Sequence, residues 1–397
     1  MHRTAQIVVI GGGVMGASIA FHLARAGARG VLVLEKGTVG SGMSRRSGAI
    51  IRTHYTNDPE AQMALASLRV FQNWREIVGG SCGFVQCGFA ILVPPQDADR
   101  LRRNVARLQR LGVKTEVVNE RELARLQPGL TGDEGAVAAY EAESGCADPV
   151  ETPRAFMARA RDLGAAVEEA VAVKAIRTAG GRVCGVDTSA GPVDAPIVVL
   201  AAGPWSVRLA RTAGVALDIR AQRAQLAFVA RPAALAEGHL VLIDGVHGGY
   251  CRPFGGDLSL VGKGADREDW ADDPDRFDEA NDPGFFDEVR TRLRRRLPVL
   301  AEQPYVRGHA GLFDMSPDTR AILDQAPGVG GLYLAVGFSG TGFKKSPAVG
   351  ACLAELILEG RARTVDLRPF RYSRFAENDP IQGPDEYQHF FGFAHRW

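Results

Sequence analysis

Four apolar residues, Ile7-Val8-Val9-Ile10, run directly into the glycines Gly11, Gly12, Gly13 and Gly16. Small and apolar residues continue to Ala26, Gly27 and Gly30 interrupt them, and Val31-Leu32-Val33-Leu34 follows and ends at Glu35. This order predicts a strand, a tight turn, a helix and a second buried strand, which together form a βαβ unit. Gly11, Gly13 and Gly16 occupy G-x-G-x-x-G. The first allows the turn, the second lets a pyrophosphate approach the backbone, and the third lets the helix lie close to the strand. Val14 and Met15 open the helix, whose unpaired N–H groups and positive dipole end suit phosphate. Glu35, followed by Lys36, stands where a carboxylate binds both hydroxyls of an adenosine ribose and repels a 2′-phosphate. A glycine-rich turn that binds nothing would need no strand, helix, second strand and acid in this order. The motif alone does not distinguish FAD from NAD.

Two further segments favour a flavin. Ser41 to Gly48, just past the second strand, supplies small residues, hydroxyls and arginines through Gly42, Ser44, Arg45, Arg46, Ser47 and Gly48. Phosphate oxygens and a flavin ring edge can use such groups, and a nicotinamide has no matching need for them there. More than 300 residues downstream, Gly337 to Lys344 forms a second glycine-rich turn before a helix, with Gly340, Thr341, Gly342, Phe343 and Lys344 in it. A helix N-terminus facing a flavin pyrimidine would stabilise its reduced anion. Read alone, the same segment also suits a turn that admits close packing.

Along the rest of the chain the pattern predicts a helix over 58–77, a strand at 89–93, a charged helix near 97–112 and a helix from Thr152 to Gly164. Strands follow at 169–176, 182–188, 191–195 and 197–200, then alternating strands with one helix over 216–315, a strand at 332–336 and a helix at 346–359. The 397 residues are 46% hydrophobic and 23% charged, with no apolar run long enough to cross a bilayer, which excludes a disordered, collagen-like or membrane-spanning chain. The length suggests two or three domains. A net charge of +1 gives no reason to expect a nucleic-acid or membrane partner. Six scattered cysteines form no disulfide framework, Cys82 and Cys87 have no partner pair at zinc spacing so no metal site is expected, and the N-terminus lacks the regions of a cleaved signal. A cytoplasmic setting is the expectation. Arg290, Arg292, Arg294, Arg295 and Arg296 end a helix that begins near Asp282-Pro283, so charge and dipole match and a solvated helix explains them. The acidic stretch Asp266 to Asp282 reads as a surface loop.

Taken together, Ile7 to Glu35, Ser41 to Tyr55, Leu200 to Ser206 and Ala335 to Lys344 carry a family resemblance extending over about residues 5–375. The chain resembles the D-amino-acid oxidase and sarcosine oxidase class of flavoproteins, most closely the sarcosine oxidase β-subunit and monomeric sarcosine oxidase branch. The resemblance implies an α/β chain (α+β overall) with a Rossmann-type FAD-binding domain and a discontinuous antiparallel-sheet substrate domain. The expected boundaries are 1–85, 145–215 and 320–375 for FAD, 86–144 and 216–319 for substrate, and a tail over 376–397. It further implies that Arg52 and Lys344 clamp a substrate carboxylate, that Tyr250 lies near the substrate, that Val173 meets the adenine through its backbone, and that Gly203 lies close to the cofactor. Tyr250 suits equally an ordinary half-buried strand tyrosine. His54, beside Arg52, suits either the site or a structural role.

The chemistry implied is hydride transfer from an amine carbon to flavin, giving an imine that water hydrolyses. Oxygen or a redox partner would take the electrons, and an assembly or relay subunit with no substrate of its own is the alternative from another class. Where relatives attach flavin through cysteine this chain has Gly311, and where others use histidine it has Arg46, so noncovalent FAD is expected. Thr341 replaces a family histidine. The oxygen-activating lysine of the sarcosine oxidases aligns with Leu260 or Val261, and Lys263 would need to change register and face to serve. The tail carries Tyr387, Phe390, Phe391, Phe393 and Trp397, which are expected to pack on their own chain or to form an oligomer or hetero-subunit contact.

Overall fold

The structure, a computed structural model, describes residues 3–264 and 269–389. Its first sheet has the strand order Ile322–Gln325, Leu332–Val336, Ile197–Leu200, Ile7–Ile10, Val31–Leu34, Ala166–Glu168. All pairs are parallel except Ile322–Gln325, which runs antiparallel to its neighbour. Crossover connections cover both faces of such a sheet, so its strands are apolar throughout and do not alternate with polar residues. Ile7, Val9, Val31, Val33 and Val199 pack under the helices Val14–Arg25, Glu151–Asp162 and Ser346–Glu359. Val8, Ile10, Leu32, Leu34, Val198 and Leu200 point the other way, against Ile176, Val183, Val186 and Val193 of a four-stranded sheet.

Two close approaches fix the helices on this sheet. A Cβ on Gly16 would lie 1.9 Å from the Gly11 carbonyl oxygen, and one on Gly350 would lie 2.3 Å from Ser18 Oγ, which donates to the Ser346 carbonyl at 2.7 Å. The first and last helices of the fold therefore touch through residues that cannot grow.

The second sheet orders Trp270–Ala271, Arg220–Ala230, Leu258–Gly262, Gly249–Phe254, Val241–Asp244, Phe89–Val93, Val137–Glu141 and Glu116–Asn119, with Tyr305–Met315 paired along Arg220–Ala230. It departs from a wholly antiparallel sheet at one place, where Phe89–Val93 runs parallel to Val241–Asp244. The chain joining those strands passes through the first sheet, so no hairpin imposes their direction.

Three local readings shift. The strand expected at 169–176 is two, Ala166–Glu168 and Val173–Ala179, because Val171 N–H bonds the Glu35 carbonyl between them. The helix expected over 58–77 breaks at Asn73, whose side-chain amide donates to the Arg69 carbonyl at 2.8 Å, and resumes as Trp74–Ile77. The arginine-rich helix is Phe285–Arg296 with Asp287 and Glu288 in its first turn, but it is not simply solvated. Arg292 bonds the Gly248 carbonyl at 2.5 Å, and Arg296 is buried against Asp244 and Asp133. Among the described residues no helix is long and apolar enough to cross a membrane.

Candidate functional site

A cleft with an internal volume of about 270 Å³ opens between the two sheets. At its first-sheet end it is lined by Gly11, Gly13, Val14, Met15, Glu35 and Lys36, joined by Val173 and Gly203. Gly11 holds φ +106°, and a Cβ there would lie 2.5 Å from the Ala201 carbonyl oxygen, so the turn and its approach to the neighbouring strand both require glycine. Glu35 is held rigidly, with one carboxylate oxygen accepting from Gly12 N–H at 2.6 Å and the other from Gly37 N–H at 2.7 Å. Gly42, Ser44, Arg46, Ser47 and Gly48 line the middle, and Ser44 Oγ accepts from Val14 N–H at 2.9 Å. Gly340, Gly342, Phe343 and Tyr250 line the far end, beside Gly311 and Leu226 of the second sheet. Tyr250 lies across Gly262, where a Cβ would come within 2.5 Å of its ring.

Five sequence candidates lie outside the lining. Gly16 serves the helix–strand contact, Arg45 is exposed, Thr341 donates to the Phe338 carbonyl at 2.9 Å, and Lys344 is buried behind the turn. Arg52 is also buried, its guanidinium 4.4 Å from the Tyr55 ring centroid and bonded to the His54 carbonyl. Arg52 and Lys344 feel each other: burial, Arg52 and Lys345 hold the Lys344 ammonium well below the ordinary lysine range. Among the described residues the Lys344 Nζ makes no hydrogen bond or ion pair.

Sequence reasoning missed what surrounds this pair. Glu60 of the helix Asp58–Gln72 is fully buried between Lys345, which bonds one oxygen, and Arg320, whose Nε lies 2.9 Å from the other. Burial alone would raise its pKa, but Lys345 and Arg320 bring it below the usual carboxylate value. The helix was expected, and the structure caps it with Asn57, whose side chain accepts from Glu60 N–H at 3.0 Å. The direction of Glu60 was not, since its partners lie some 260 and 285 residues away.

The acidic stretch is also more than a surface loop. Asp275 crosses the first-sheet end of the cleft, accepting from Lys36 Nζ at 2.6 Å, Trp205 Nε1 at 2.7 Å and Arg208 at 2.9 Å, with the Lys36 ammonium 3.7 Å above the Trp205 ring. Against the effect of burial, these donors draw the Asp275 carboxyl down to about 2. Glu279 pairs with Arg46 at 2.6 Å. Asp266 lies outside the described residues.

The family model for FAD dependent oxidoreductases, DAO, matches residues 6–356. The chain belongs to this family. Among its relatives, the sarcosine oxidase subunit beta of Rhodobacter capsulatus is 27% identical, the match covering 95% of this chain and 91% of that one. The glycine oxidase of Geobacillus kaustophilus is 27% identical over 94% of this chain and 98% of that one. Of solved structures, L-proline dehydrogenase from P. horikoshii superposes with a TM-score of 0.89 at 27% identity, covering 96% of this chain and 100% of that one.

FAD is the cofactor of the DAO family, and the cleft of this member fits it. The glycine cradle leaves backbone exposed where a side chain would collide, Glu35 is presented at the strand end, and the opening continues past Ser44 to Tyr250. At the far end, Asp314 organises the second glycine turn by accepting from Gly337 N–H at 2.8 Å, while its backbone carbonyl accepts from Ser339 N–H at 3.1 Å. Burial pushes the Asp314 carboxyl up to about 6, only partly offset by those backbone donors. An acid whose folded pKa is raised is most stabilising when protonated, so its contribution is complete below about pH 4 and is lost as pH rises through about 6. Asp314→Asn is therefore expected to gain stability relative to the parent protein as pH increases from 4 to 7, by up to about 3 kcal/mol. Thermal melts of both proteins across that range check it, and a gap that does not change with pH would refute the assignment.

Proposed function

We propose that this protein oxidises the C–N bond of a small amino acid or N-alkyl amino acid, with FAD held noncovalently along the cleft. The observation that carries the reading is the buried Lys344 ammonium, which has no partner among the described residues and sits close enough to Arg52 to feel its charge, behind the turn that lines the far end of that cleft. Arg52, Lys344, Lys345 and Arg320 are four buried cations, whereas Glu60 and Glu141 are the buried carboxylates near them, and burial raises the Glu141 pKa. A desolvated ammonium is costly until an anion joins it. A substrate carboxylate supplies that anion and fixes the adjacent α-carbon toward the cleft, with Tyr250 on the opposite wall.

Bound FAD supplies the hydride acceptor. The substrate loses a hydride from carbon and a proton from nitrogen, the C–N bond becomes C=N, and water then releases an oxo acid and the amine. The residues that would hold FAD are those of the sequence motifs, Gly11, Gly13, Val14, Met15, Glu35, Lys36, Gly42, Ser44, Arg46, Ser47, Gly48, Val173, Gly203, Gly340, Gly342 and Phe343. The division into an FAD-binding and a substrate domain at the boundaries given above goes with this reading.

An acceptor other than oxygen is favoured by Lys263. It pairs with Glu288 at 2.5 Å, on the helix Phe285–Arg296 that packs Val289 and Leu293 against Val229 and Val261. Leu226, Phe228, Leu260 and Tyr250 turn to the opposite face, so the candidate lysine is engaged away from the cleft. The resemblance to the human sarcosine dehydrogenase, 28% identical over 93% of this chain and 42% of that one, accords with this.

The test is anaerobic mixing of the yellow holoprotein with a panel of amino acids, N-methyl amino acids and cyclic amino acids. Bleaching by at least one member, slow return of colour in air and fast return with a quinone or dye are expected. If no carboxylate-bearing amine bleaches the flavin, the reading is wrong. Fast return in air would instead assign an oxidase.

A further inference from the structure

Between about residue 375 and His389 the chain returns to the segment that carries Arg52. Ile381 N–H bonds Asp318 at 3.1 Å, Glu386 lies 3.7 Å from Arg320, Arg103 pairs with Asp385 at 2.7 Å, and Gln388 and His389 N–H both bond the buried Asp97. A Cβ on Gly383 would lie 2.1 Å from the Thr56 carbonyl oxygen, so the tail crosses this segment at backbone contact. Phe390, Phe391, Phe393 and Trp397 lie outside the described residues.

At the centre of this contact Tyr387 OH meets His54 Nε2 at 2.6 Å, its ring stacked on the imidazole with centroids 5.9 Å apart. The direction of the bond follows from the neighbours. Arg107 donates to Asn104 Oδ1 at 2.6 Å, which leaves the Asn104 amide to donate toward His54 Nε2 at 3.2 Å. That nitrogen therefore presents its one lone pair to this side, and the Tyr387 hydroxyl, which itself accepts from the Asn104 amide at 3.4 Å, donates to it at the shorter distance. Burial, Arg52 and Arg107 hold His54 well below the ordinary imidazole range, so it stays neutral and able to accept. The His54 carbonyl in turn accepts from Arg52. Arg107 closes the network, bonding the Tyr55 carbonyl at 2.5 Å and pairing with Asp58. The two carbonyls beside Arg52 in this turn are thus held by arginines, His54 by Arg52 itself and Tyr55 by Arg107, while the tail holds the His54 ring.

We infer that Tyr387 is a positioning residue for carboxylate recognition: through His54 the C-terminal tail holds Arg52 in the orientation that receives the substrate. The inference rests on the carboxylate role proposed above for Arg52. It makes the tail part of the substrate site, whereas the sequence suggested only that it covers its own domain or contacts another subunit. The chemistry recognised is the α-carboxylate of an amine-bearing acid. Tyr387 contributes no contact to it and acts by limiting where the guanidinium can go, so its loss should affect binding before turnover.

The experiment compares parent, Tyr387→Phe and Arg52→Ala holoproteins. Affinity is read from the perturbation of the flavin spectrum by a nonreactive heteroaromatic carboxylate, pyrrole-2-carboxylate, and KM and kcat are read separately for whichever amine bleaches the flavin. Removing one hydroxyl that makes a buried hydrogen bond should raise both Kd and KM by ~3–10-fold. FAD content, the melting midpoint and kcat should stay close to the parent values. A lower melting midpoint with unchanged Kd would make the tail merely structural and overturn the inference. An unchanged Kd in Tyr387→Phe with a large rise in Arg52→Ala would overturn it too, leaving the carboxylate reading intact. If Arg52→Ala also leaves Kd unchanged, the carboxylate reading itself fails and the inference falls with it.

Discussion

Arg52→Ala is expected to raise the KM for the amine substrate by roughly 100-fold or more while the protein still binds a full complement of FAD. The two effects separate because Arg52 does not line the dinucleotide cleft, whereas it does lie beside the unpartnered Lys344. Truncating it removes a charge-assisted fork and leaves the substrate carboxylate facing one ammonium. Lys344→Met should weaken binding by a comparable factor, and it should also change how binding depends on pH. In the ligand-free protein the Lys344 pKa is depressed by burial and by neighbouring cations. A bound carboxylate favours the protonated ammonium and raises that pKa. Above the depressed value, binding therefore takes up a proton and affinity falls as pH rises. Titration with pyrrole-2-carboxylate in weak buffer measures the uptake directly, and Lys344→Met should abolish it. Loss of flavin from Arg52→Ala, or proton uptake that survives Lys344→Met, would show that these residues have been given the wrong roles.

The second large effect concerns Glu60. Its carboxylate is the shared counterion of Lys345 and Arg320, all three essentially without solvent contact. Glu60→Ala takes the buried carboxylate from Lys345 and weakens the balance at Arg320, which keeps Glu386 at 3.7 Å, and breaking a buried pair in this way typically costs about 3–5 kcal/mol. Denaturant unfolding of the variant should show a loss of that size, at a slope close to the parent value. The cost comes from the stranded charge and not from a vanished attraction, so the double variant Glu60→Leu, Lys345→Met should recover part of it. A loss in Glu60→Ala below about 1 kcal/mol would mean that the cations are satisfied in another way.

These two predictions also show where the sequence stopped being informative. The βαβ unit was legible to the residue because period, glycine placement and the acid at the strand end are all local, and Ile7–Ile10, Val14–Arg25 and Val31–Leu34 fall where those signals put them. The second glycine turn and Tyr250 were legible by resemblance, and both line the cleft. Arg45, in contrast, was grouped with Arg46 because adjacent residues share a motif, yet on the short helical turn Met43–Arg46 they point to different sides and only Arg46 reaches the cleft. Glu60 and Asp275 carried no usable signal, since each acts through partners at least 67 residues away in sequence, and Tyr387 was read only as one of the tail aromatics that pack on their own chain or meet another subunit. A carboxylate in a helix reads as solvated and an acidic stretch as a loop until the rest of the chain is folded against them. The parallel pairing of Phe89–Val93 with Val241–Asp244 was unreadable for the same reason, because nothing in either strand records its direction relative to the other.

The contact between Gly350 and Ser18 has a consequence for how the chain is made. The helix that begins the fold is seated against one that leaves the ribosome more than 300 residues later, and the strand Leu332–Val336 that completes one side of the first sheet is equally late. The early βαβ unit thus emerges with an open edge beside Ile197–Leu200 and an uncovered helix face. Neither sheet can close during synthesis of the first half, since Phe89–Val93 also waits for Val241–Asp244. Folding to the compact state therefore waits until the chain through about residue 360 has been made, and nascent fragments stopped before that point should be sensitive to protease where the longer chain is not.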